Sequence, residues 1–289
     1  MRVAVCLPGP GSAWLRLFRS LAWGALLLSA GAAAAENVAR LAVIVDDLGF
    51  RQAEDLAILE LDRRVSVAII PNAPLARYMA AEARRQQRIT LVHLPLAQGP
   101  TGECDAPVCP RREWSAERMR QHLAWAFGEV EGAVGLNNHQ GSLFTADLAA
   151  TRRLIEGLKL FSHEQPSPPF ILDSRTSPQS RLAELAGGSG FRTARRDIFL
   201  DHDRSPEAMN RAWNAALAVA RREGSAIVIA HPHPETIVFL RRSLPELAAH
   251  GVALVALPEV LQEPAQQPAR YGYPAAGVAY RSSMAPPGP

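Results

Sequence analysis

Two adjacent aspartates, Asp46 and Asp47, end an apolar run in the stretch VIVDDLGF at residues 43–50. Neighbouring carboxylates repel each other, and one of them would be enough to cap the turn that follows. A divalent cation would offset the repulsion, because one aspartate could bind the ion while the other takes a proton from water. The pair therefore indicates a metal-assisted hydrolytic site, with a simple turn cap as the alternative for either residue.

Three histidines follow other apolar runs in the same manner. His93 follows ITLV, His139 lies in NNHQGS after AVGL, and His231 follows AIVIA. A carboxylate and two imidazoles with open positions form a site for a divalent metal, and the ligand types favour zinc. A histidine across such a site could protonate a leaving group. The alternative for each histidine is a hydrogen-bonded position in the core.

Carboxylates follow two further apolar runs. Asp173 comes directly after FIL, and Asp201 begins the sequence DHD after IFL. One polar residue after a strand is ordinary turn chemistry. The presence of aspartate or histidine after six predicted strands is not ordinary turn chemistry, because histidine has no special preference for turns. Asp201 and Asp203 could instead serve the start of the next helix, and His202 is expected at the surface.

Eight short apolar runs supply the strands on which these residues depend. They are continuous rather than alternating, which is typical of strands buried on both faces of a parallel sheet. The runs are LAVIV (41–45), VSVAII (65–70), ITLV (89–92), AVGL (133–136), FIL (170–172), IFL (198–200), AIVIA (226–230) and VALVAL (252–257). In such a sheet the positions after the strands share one edge. The runs thus predict a single site on a (β/α) barrel, regular or distorted, or on an open doubly wound sheet.

Two helical patterns lie between the runs. At 205–224, Ser205 can cap the helix, Pro206 suits its first position and Gly224 can end it. At 115–130, apolar residues again recur at helical spacing. The aromatic and methionine residues of both stretches are predicted to lie in the core.

Residues 1–35 have the composition of a secretory leader. Arginines precede the apolar core LAWGALLLSAGA (21–32), and small residues allow cleavage after Ala35. A membrane anchor is the alternative, but this core is shorter than the ~20 residues that a bilayer needs. Cleavage would leave 254 of the 289 residues, as one domain at 36–262 and a Pro/Ala-rich disordered tail at 263–289. We therefore expect a periplasmic or secreted protein of a Gram-negative-type bacterium, with no stable membrane span after cleavage.

The excess of basic residues belongs to the leader. The chain has 31 basic and 28 acidic residues, and the leader holds three of the bases and no acid. A neutral domain argues against binding to nucleic acid or strong attraction to membranes. Lys159, the only lysine, lies in a helical stretch, which excludes a phosphate-binding loop and a Schiff base at a strand end.

Two cysteines, Cys104 and Cys109, remain after the leader, in the stretch GECDAPVCP. In an exported protein such a pair predicts a disulfide that clamps a surface loop. The alternative is a two-thiolate metal site, but no nearby histidine or further cysteine completes four ligands.

Seven motifs occur in order over residues 40–262, namely VIVDDLGF, VAIIPN, HLPL, GLNNHQGS, LDSRT, FLDHD and AHPHP. Together they resemble the divergent polysaccharide deacetylase family of exported bacterial proteins. This family is part of a superfamily with a distorted (β/α) barrel, whose members are mostly metal-dependent N- or O-deacetylases. The resemblance implies an α/β fold, a distorted (β/α) barrel with about seven to eight mostly parallel strands.

The resemblance also implies roles for single residues. The first superfamily motif is an adjacent aspartate pair, which makes Asp46 the general base and Asp47 a metal ligand. His93 falls where the second motif begins, and His231 falls where the last motif places its catalytic histidine. Asp173 is expected to orient His231 or a group of the substrate.

The sequence also departs from the superfamily pattern. A second histidine usually follows the first by four residues, but Ala97 occupies that position here. We predict that His139 supplies the missing ligand, so that Asp47, His93 and His139 hold the metal. An arginine-containing motif expected near this point is replaced by NNHQGS. The remaining candidates, predicted to bind substrate, are Asn138, Ser142 and His233.

These residues predict an exported hydrolase that uses a divalent metal, Zn²⁺ by ligand type, to remove acetyl groups from a polysaccharide or a peptidoglycan-like glycan. The altered second motif motivates an alternative, a catalytically weak glycan-binding or envelope-organising protein on the same barrel. Another metal hydrolase, such as a phosphodiesterase, suits the ligand set but not the motifs.

Overall fold

The computed structural model describes residues 38–98 and 109–264, together with Met1 and Val3. The rest of the predicted leader, the tail beyond residue 264 and Cys104 lie outside the described residues, and the expectations for them stay predictions. Cys109 is buried. Within the part of the chain that is described, no helix is both long enough and apolar enough to cross a membrane.

Nine strands form one sheet in the described residues. They are β1 (Ala39–Leu48), β2 (Ser66–Ile69), β3 (Thr90–Leu96), β4 (Gly135–Gln140), β5 (Phe170–Asp173), β6 (Thr193–Arg195), β7 (Ile198–Phe199), β8 (Ser225–Ala230) and β9 (Val252–Val255). Their order is β6-β5-β4-β3-β2-β1-β8-β7, and every ladder between them is parallel. β9 pairs with Ala39 to Ala42 of β1, and β2 pairs with the same side of β1 from Ile44 onward.

Eight α-helices lie between the strands in the described ranges. They are α1 (Gln52–Leu59), α2 (Ala76–Arg85), α3 (Ala116–Glu129), α4 (Ser142–Ala146), α5 (Leu148–Ser162), α6 (Leu182–Gly187), α7 (Pro206–Glu223) and α8 (Pro234–Ser243). Two 3-10 helices, Leu247–His250 and Leu257–Val260, flank β9. The caps predicted for α7 are present, because Ser205 accepts a hydrogen bond from the Ala208 N–H and Gly224 has a φ of 81°.

The buried side chains form two separate layers on the two faces of the sheet. Alternate residues of β1, such as Val43 and Val45, belong to the large cluster that also contains the buried faces of the helices. The intervening residues, Ala42 and Ile44, belong to a smaller cluster to which no α-helix contributes. Because the α-helices cover one face only, the sheet is not doubly wound.

The sheet therefore curls into an incompletely closed parallel barrel, which confirms the predicted fold class. No ladder joins β6 to β7 among the described strands, so the barrel is open there. On the inner face the ring of Phe170 covers its ladder partner on β4, since a Cβ atom added to Gly135 would lie 2.4 Å from that ring. The short strand β6 is the one strand that the apolar runs did not predict.

Four strands extend further than predicted and take in polar residues. The strands β1, β3, β4 and β5 include Asp46, His93, His139 and Asp173, respectively. β3 and β4, for example, stay paired up to Leu96 and Gln140. These residues thus lie within their strands rather than after them, and the alternation of side chains along each strand decides to which face they point.

His122 is a histidine with a structural role. It lies on α3, buried between the rings of Trp114 and Trp125, with centroids 5.4 and 5.0 Å away. Burial lowers the pKa of His122 to about 4, and the charge of Arg118 adds to the effect. His122 therefore stays neutral in the folded protein at a pH where the same histidine in the unfolded chain, with a pKa of about 6.5, takes up a proton.

We expect this histidine to make the protein less stable in mild acid. Its contribution is fully present above about pH 6.5 and is lost as the pH falls toward about 4. Between pH 7 and pH 5 the free energy of unfolding should fall by about 2 kcal/mol more in the wild type than in His122→Phe. Urea denaturation at both pH values measures the difference, with His163→Phe at an exposed site as the control. Equal pH dependence in wild type and His122→Phe would contradict the assignment.

Candidate metal centre and active site

The alternation of side chains along the strands places most of the candidate residues on the inner face of the barrel. Asp46 continues the inner series of Ala42 and Ile44, and His231 continues that of Ile227 and Ile229. In the same way His93 follows Leu91 on β3, and Asn137 and His139 follow Gly135 on β4. Five polar side chains from four strands therefore meet at the carboxyl edge of the barrel.

Asp47 is the exception, because a residue next to Asp46 should point to the other face. Its backbone is left-handed, with a φ of 62°, and the β1–β2 register shifts between Val45 and Leu48. This local turn of the backbone brings both carboxylates to the same site. A left-handed residue other than glycine costs on the order of 1 kcal/mol, although aspartate tolerates it better than most.

Asp47, His93 and His139 form the candidate metal cluster. Asp47 Oδ1 lies 3.1 Å from His93 Nε2 and 2.9 Å from His139 Nδ1, and the two nitrogens are 3.2 Å apart. One ligand atom from each residue thus falls within 4.8 Å of the others. Asp47 Oδ1 is buried, and neither close nitrogen has hydrogen-bond geometry toward it. One carboxylate oxygen and two imidazole nitrogens that converge in this way fit a divalent cation such as zinc.

The charges within the cluster are strongly coupled. Burial alone would raise the pKa of Asp47, but the neighbouring imidazoles His139 and His93 outweigh it and lower the pKa well below its usual range. Burial opposes the charged form of His93 too, yet Asp46 and Asp47 raise its pKa to about 9. A cation would take the place of the proton that His93 otherwise holds.

Asn137 connects this cluster to Asp46. It is fully buried, and its Oδ1 accepts a hydrogen bond of 2.8 Å from His93 Nδ1. Its Nδ2 donates to both oxygens of Asp46, at 2.9 and 3.0 Å. The proton on His93 Nδ1 leaves the lone pair of Nε2 directed at Asp47 and His139, as a metal ligand requires. Asn137 was not predicted as a site residue, although its alternation with Gly135 could have indicated it.

Asp46 has the environment of a base. It is 2% exposed, and His93 Nε2 lies 3.7 Å from its Oδ2. Burial raises the pKa of Asp46, and the charges of His93 and His231 offset only part of the effect. A carboxylate with a raised pKa is a stronger base than an exposed one.

His231 lies across the site from the metal cluster, with its Nε2 3.9 Å from Asp47 Oδ2. Its Nδ1 is 3.0 Å from Asp201 Oδ1, and Asp201 Oδ2 accepts from the His231 N–H and from Thr236 Oγ1. Burial lowers the pKa of His231, but the hydrogen bond and charge of Asp201 outweigh it, so that the pKa is raised. His231 is thus suited to donate a proton from Nε2.

The structure corrects the role predicted for Asp173. Asp173 alternates with Ile171, which faces the helices, so its side chain points away from the barrel interior. Its carboxylate accepts hydrogen bonds from the Arg175 N–H and from Ser180 Oγ. The carboxylate that contacts His231 belongs to Asp201. The interaction with the start of α7, which the sequence allowed for either aspartate, is made by Asp203, whose side chain accepts a hydrogen bond from the Ser205 N–H.

The three predicted substrate-binding residues occupy different places. Asn138 lines the pocket, but its amide holds the loop, with hydrogen bonds to Gln140 O and from the Ser174 N–H. Ser142 also lines the pocket, at the start of α4. His233 precedes α8 and is not part of the pocket wall; its ring lies 6.1 Å from that of His231.

These groups surround a cavity of about 410 Å³ at the carboxyl edge. Phe199 and Ile229 form an apolar part of its wall, and the ring of Phe199 lies 5.0 Å from that of His231. Arg196 lines the same cavity, fixed by hydrogen bonds to the carbonyls of Ser174 and Arg175. Three larger cavities lie elsewhere among the described residues, and none of these three includes a residue of the metal cluster.

A family model described as divergent polysaccharide deacetylase matches residues 43–261, which include the whole site. The chain belongs to the divergent polysaccharide deacetylase family. It is 31% identical over 225 residues to the uncharacterised protein YibQ of Escherichia coli, covering 78% of this chain and 68% of that protein. It is 38% identical over 210 residues to an uncharacterised protein of Haemophilus influenzae, covering 72% of each.

Among solved structures, the uncharacterised protein ATU2773 of Agrobacterium tumefaciens C58 superposes with a TM-score of 0.70 and 22% identity. The match covers 76% of this chain and 88% of that one, and it shows the same fold. In this member of the family, Ala97 is buried, and its N–H donates to Pro110 O. The third potential ligand beside Asp47 and His93 is His139, from the next strand.

Proposed function

We propose that this protein is an exported, metal-dependent hydrolase that removes acetyl groups from a cell-envelope or extracellular polysaccharide. The convergence of Asp47, His93 and His139 on one buried point, between Asp46 and His231, is the observation that carries the proposal. Membership of a deacetylase family supports acetyl as the group that is removed and released as acetate. The leader-like residues 1–35 support export to the periplasm or beyond.

The proposed metal site consists of Asp47, His93 and His139. A divalent cation held there, zinc by ligand type, would supply Lewis-acid activation of water and of the acetyl carbonyl. The protein adds a rigid support, because Asn137 fixes the orientation of the His93 ring through Nδ1.

Asp46 and His231 divide the proton transfers between them. Asp46 takes a proton from the attacking water, and Asn137 keeps both of its oxygens in place. His231, positioned by Asp201, gives a proton to the departing amine or hydroxyl. The overall step consumes one water, breaks the bond between the carbonyl carbon and the sugar nitrogen or oxygen, and releases acetate.

The apolar wall of the cavity suits the methyl of the acetyl group. Phe199 and Ile229 flank His231, so a methyl group placed against them would leave the carbonyl toward the metal cluster. This placement puts the scissile bond between Asp46 and His231, as the two proton transfers require.

Acetate release tests the proposal. The purified protein is incubated with a panel of N- and O-acetylated oligosaccharides, including peptidoglycan fragments, and acetate is measured before and after treatment with a chelator. We expect release from at least one class and its loss after chelation. Ala97 stands where the superfamily pattern has a second histidine, and this difference motivates a second candidate function. In that function the protein is a metal-binding envelope protein that binds glycan without hydrolysis. A protein that holds metal and binds glycan but releases no acetate from the panel would favour that candidate.

A further inference from the structure

Two arginines, Arg175 and Arg196, form part of the wall of the proposed active-site cavity. The proposed reaction gives them no role, because its metal site and its proton transfers use aspartates and histidines only. Neither arginine forms a salt bridge with a carboxylate of the described residues, whereas Arg181, at the end of the same loop as Arg175, pairs with Glu184. The cavity wall thus contains two cationic side chains that the folded, described part of the chain does not pair.

The side chain of Arg196 is held in one place. Its Nε donates a hydrogen bond of 2.7 Å to Ser174 O, and its Nη2 donates one of 2.8 Å to Arg175 O. Its guanidinium carbon lies 5.1 Å from the ring centroid of Phe199. A guanidinium has five N–H donors, and Nη1 makes no hydrogen bond with the described residues. Arg196 is therefore fixed at the cavity with donors left for a ligand.

The surroundings of Arg196 disfavour its charge. Burial, followed by the charge of Arg175, lowers the pKa of Arg196, although a guanidinium stays protonated at neutral pH. Three aspartates attract it from further away, but the carboxylate of each accepts hydrogen bonds from other groups. These aspartates are Asp46, Asp173 and Asp197. A bound anion would offset the cost of holding two like charges side by side.

The backbone of Arg175 is arranged for the same purpose. It is left-handed, with a φ of 52°, which is strained for a residue with a side chain. The Arg175 N–H donates to Asp173 Oδ1, and the Arg175 carbonyl accepts from Arg196. This turn thus supplies one cationic side chain, which is exposed, and fixes the other.

The anion that suits these side chains is a carboxylate. A planar guanidinium matches a carboxylate in a bidentate pair. A single negative charge suits the cavity better than the double charge of a phosphate monoester, because Asp46 and Asp47 also line it.

Phe199 relates the position of the carboxylate to that of the acetyl group. Its ring centroid lies 5.0 Å from the ring of His231 and 5.1 Å from the guanidinium carbon of Arg196. The proposed acid and Arg196 therefore contact the same aromatic ring. A carboxylate at Arg196 thus fits on the sugar unit whose acetyl group reaches His231.

We propose that Arg196 and Arg175 bind a carboxylate on the acetylated sugar unit itself, so that the protein prefers acidic sugars to neutral ones. This inference rests on the proposed function and adds the charge of the substrate, which neither the metal site nor the apolar wall determines. The carboxylate has two chemical sources, because a uronic acid carries it on C6 and a lactyl ether carries it on O3.

The charge of the sugar is the variable that tests this inference. Three β-1,4-linked, N-acetylated tetrasaccharides are compared, namely the N-acetylglucosamine oligomer, its C6-oxidised form and a form with lactyl ethers on O3. We expect kcat/KM on at least one acidic form to exceed that on the neutral form about tenfold, and the favoured form identifies the source of the carboxylate. Arg196→Gln should remove most of this preference, because a hydrogen bond to a charged group is lost.

Two further variants separate substrate binding from changes in the loop. Arg175→Gln changes an exposed side chain and keeps both carbonyls that hold Arg196, so it should weaken the preference without loosening the loop. Arg181→Gln is the matched control, because the guanidinium of Arg181 pairs with Glu184 and does not line the cavity. It should retain the wild-type preference.

The inference is overturned if the wild type prefers neither acidic form, or if Arg196→Gln and Arg175→Gln both retain the preference. An equal loss of kcat/KM on all three substrates in Arg196→Gln would also overturn it, since the charge would then act on the reaction rather than on the choice of substrate.

Should the protein release acetate from no acetylated substrate, the proposed function fails, and binding alone decides on the two arginines. Titration calorimetry with the same three tetrasaccharides then measures affinity. An acidic form that binds about tenfold more tightly than the neutral one, with the difference lost in Arg196→Gln, supports the inference. Equal affinity for acidic and neutral forms, or no binding of any, overturns it.

Discussion

Replacement of Asp46 with asparagine should lower the rate of acetate release at least about 100-fold and leave the metal content unchanged. The change keeps the shape of the side chain but removes the carboxylate that accepts the proton of water. Asp46 lies outside the group of three ligand atoms, and its oxygens are held by Asn137 rather than by the metal cluster. The measurements are kcat on the best substrate and metal per chain by mass spectrometry.

Asp62→Asn is the matched control for this variant. Asp62 is a partly exposed carboxylate that pairs with Arg64 near the start of β2, away from the site. The control should keep both activity and metal. Loss of metal in Asp46→Asn together with retained metal in Asp47→Ala would exchange the roles of the two aspartates.

Replacement of Asp47 should have the largest effect on metal binding. Asp47→Ala removes the one carboxylate oxygen that meets both His93 Nε2 and His139 Nδ1. Loss of a partner that only supports a ligand already costs about 10–100-fold in metal affinity, so loss of the ligand itself should cost at least about 100-fold. Metal content after dialysis should fall to near zero, and acetate release should fall with it.

Backbone strain at this position calls for a second variant. The φ of Asp47 is 62°, a conformation that alanine tolerates poorly and glycine adopts freely. Asp47→Gly removes the same ligand without the strain, so its metal content should also fall while its circular dichroism stays that of the wild type. A folded Asp47→Gly that binds metal as tightly as the wild type would remove Asp47 from the metal site.

The sequence predicted which residues gather at the site better than it predicted their individual roles. Strand ends in a parallel barrel share one edge, so Asp46, His93 and His231 could be grouped from their positions alone. The choice between Asp173 and Asp201 as the carboxylate that positions His231 depended on the direction of each side chain. Asp173 points to the helices, in the same direction as Ile171, and that alternation was not used in the prediction.

Other features have no signal in the sequence read by itself. The left-handed backbone of Asp47 depends on the register shift between β1 and β2, which involves residues far apart in the chain. The bridging role of Asn137 likewise depends on contacts to β1 and β3. An adjacent asparagine, Asn138, was predicted instead, because two neighbouring residues of a strand differ only in the face they occupy.

The dependence of acetate release on bound metal tests the central claim most directly. The protein is freed of metal with a chelator, zinc is restored in steps, and both metal per chain and the rate of acetate release are measured at each step. The account predicts that the rate rises in proportion to bound zinc and reaches its maximum at about one ion per chain, as expected for a single catalytic site. Acetate release that is unchanged when the metal is removed, or no acetate release at full zinc occupancy, would contradict the account.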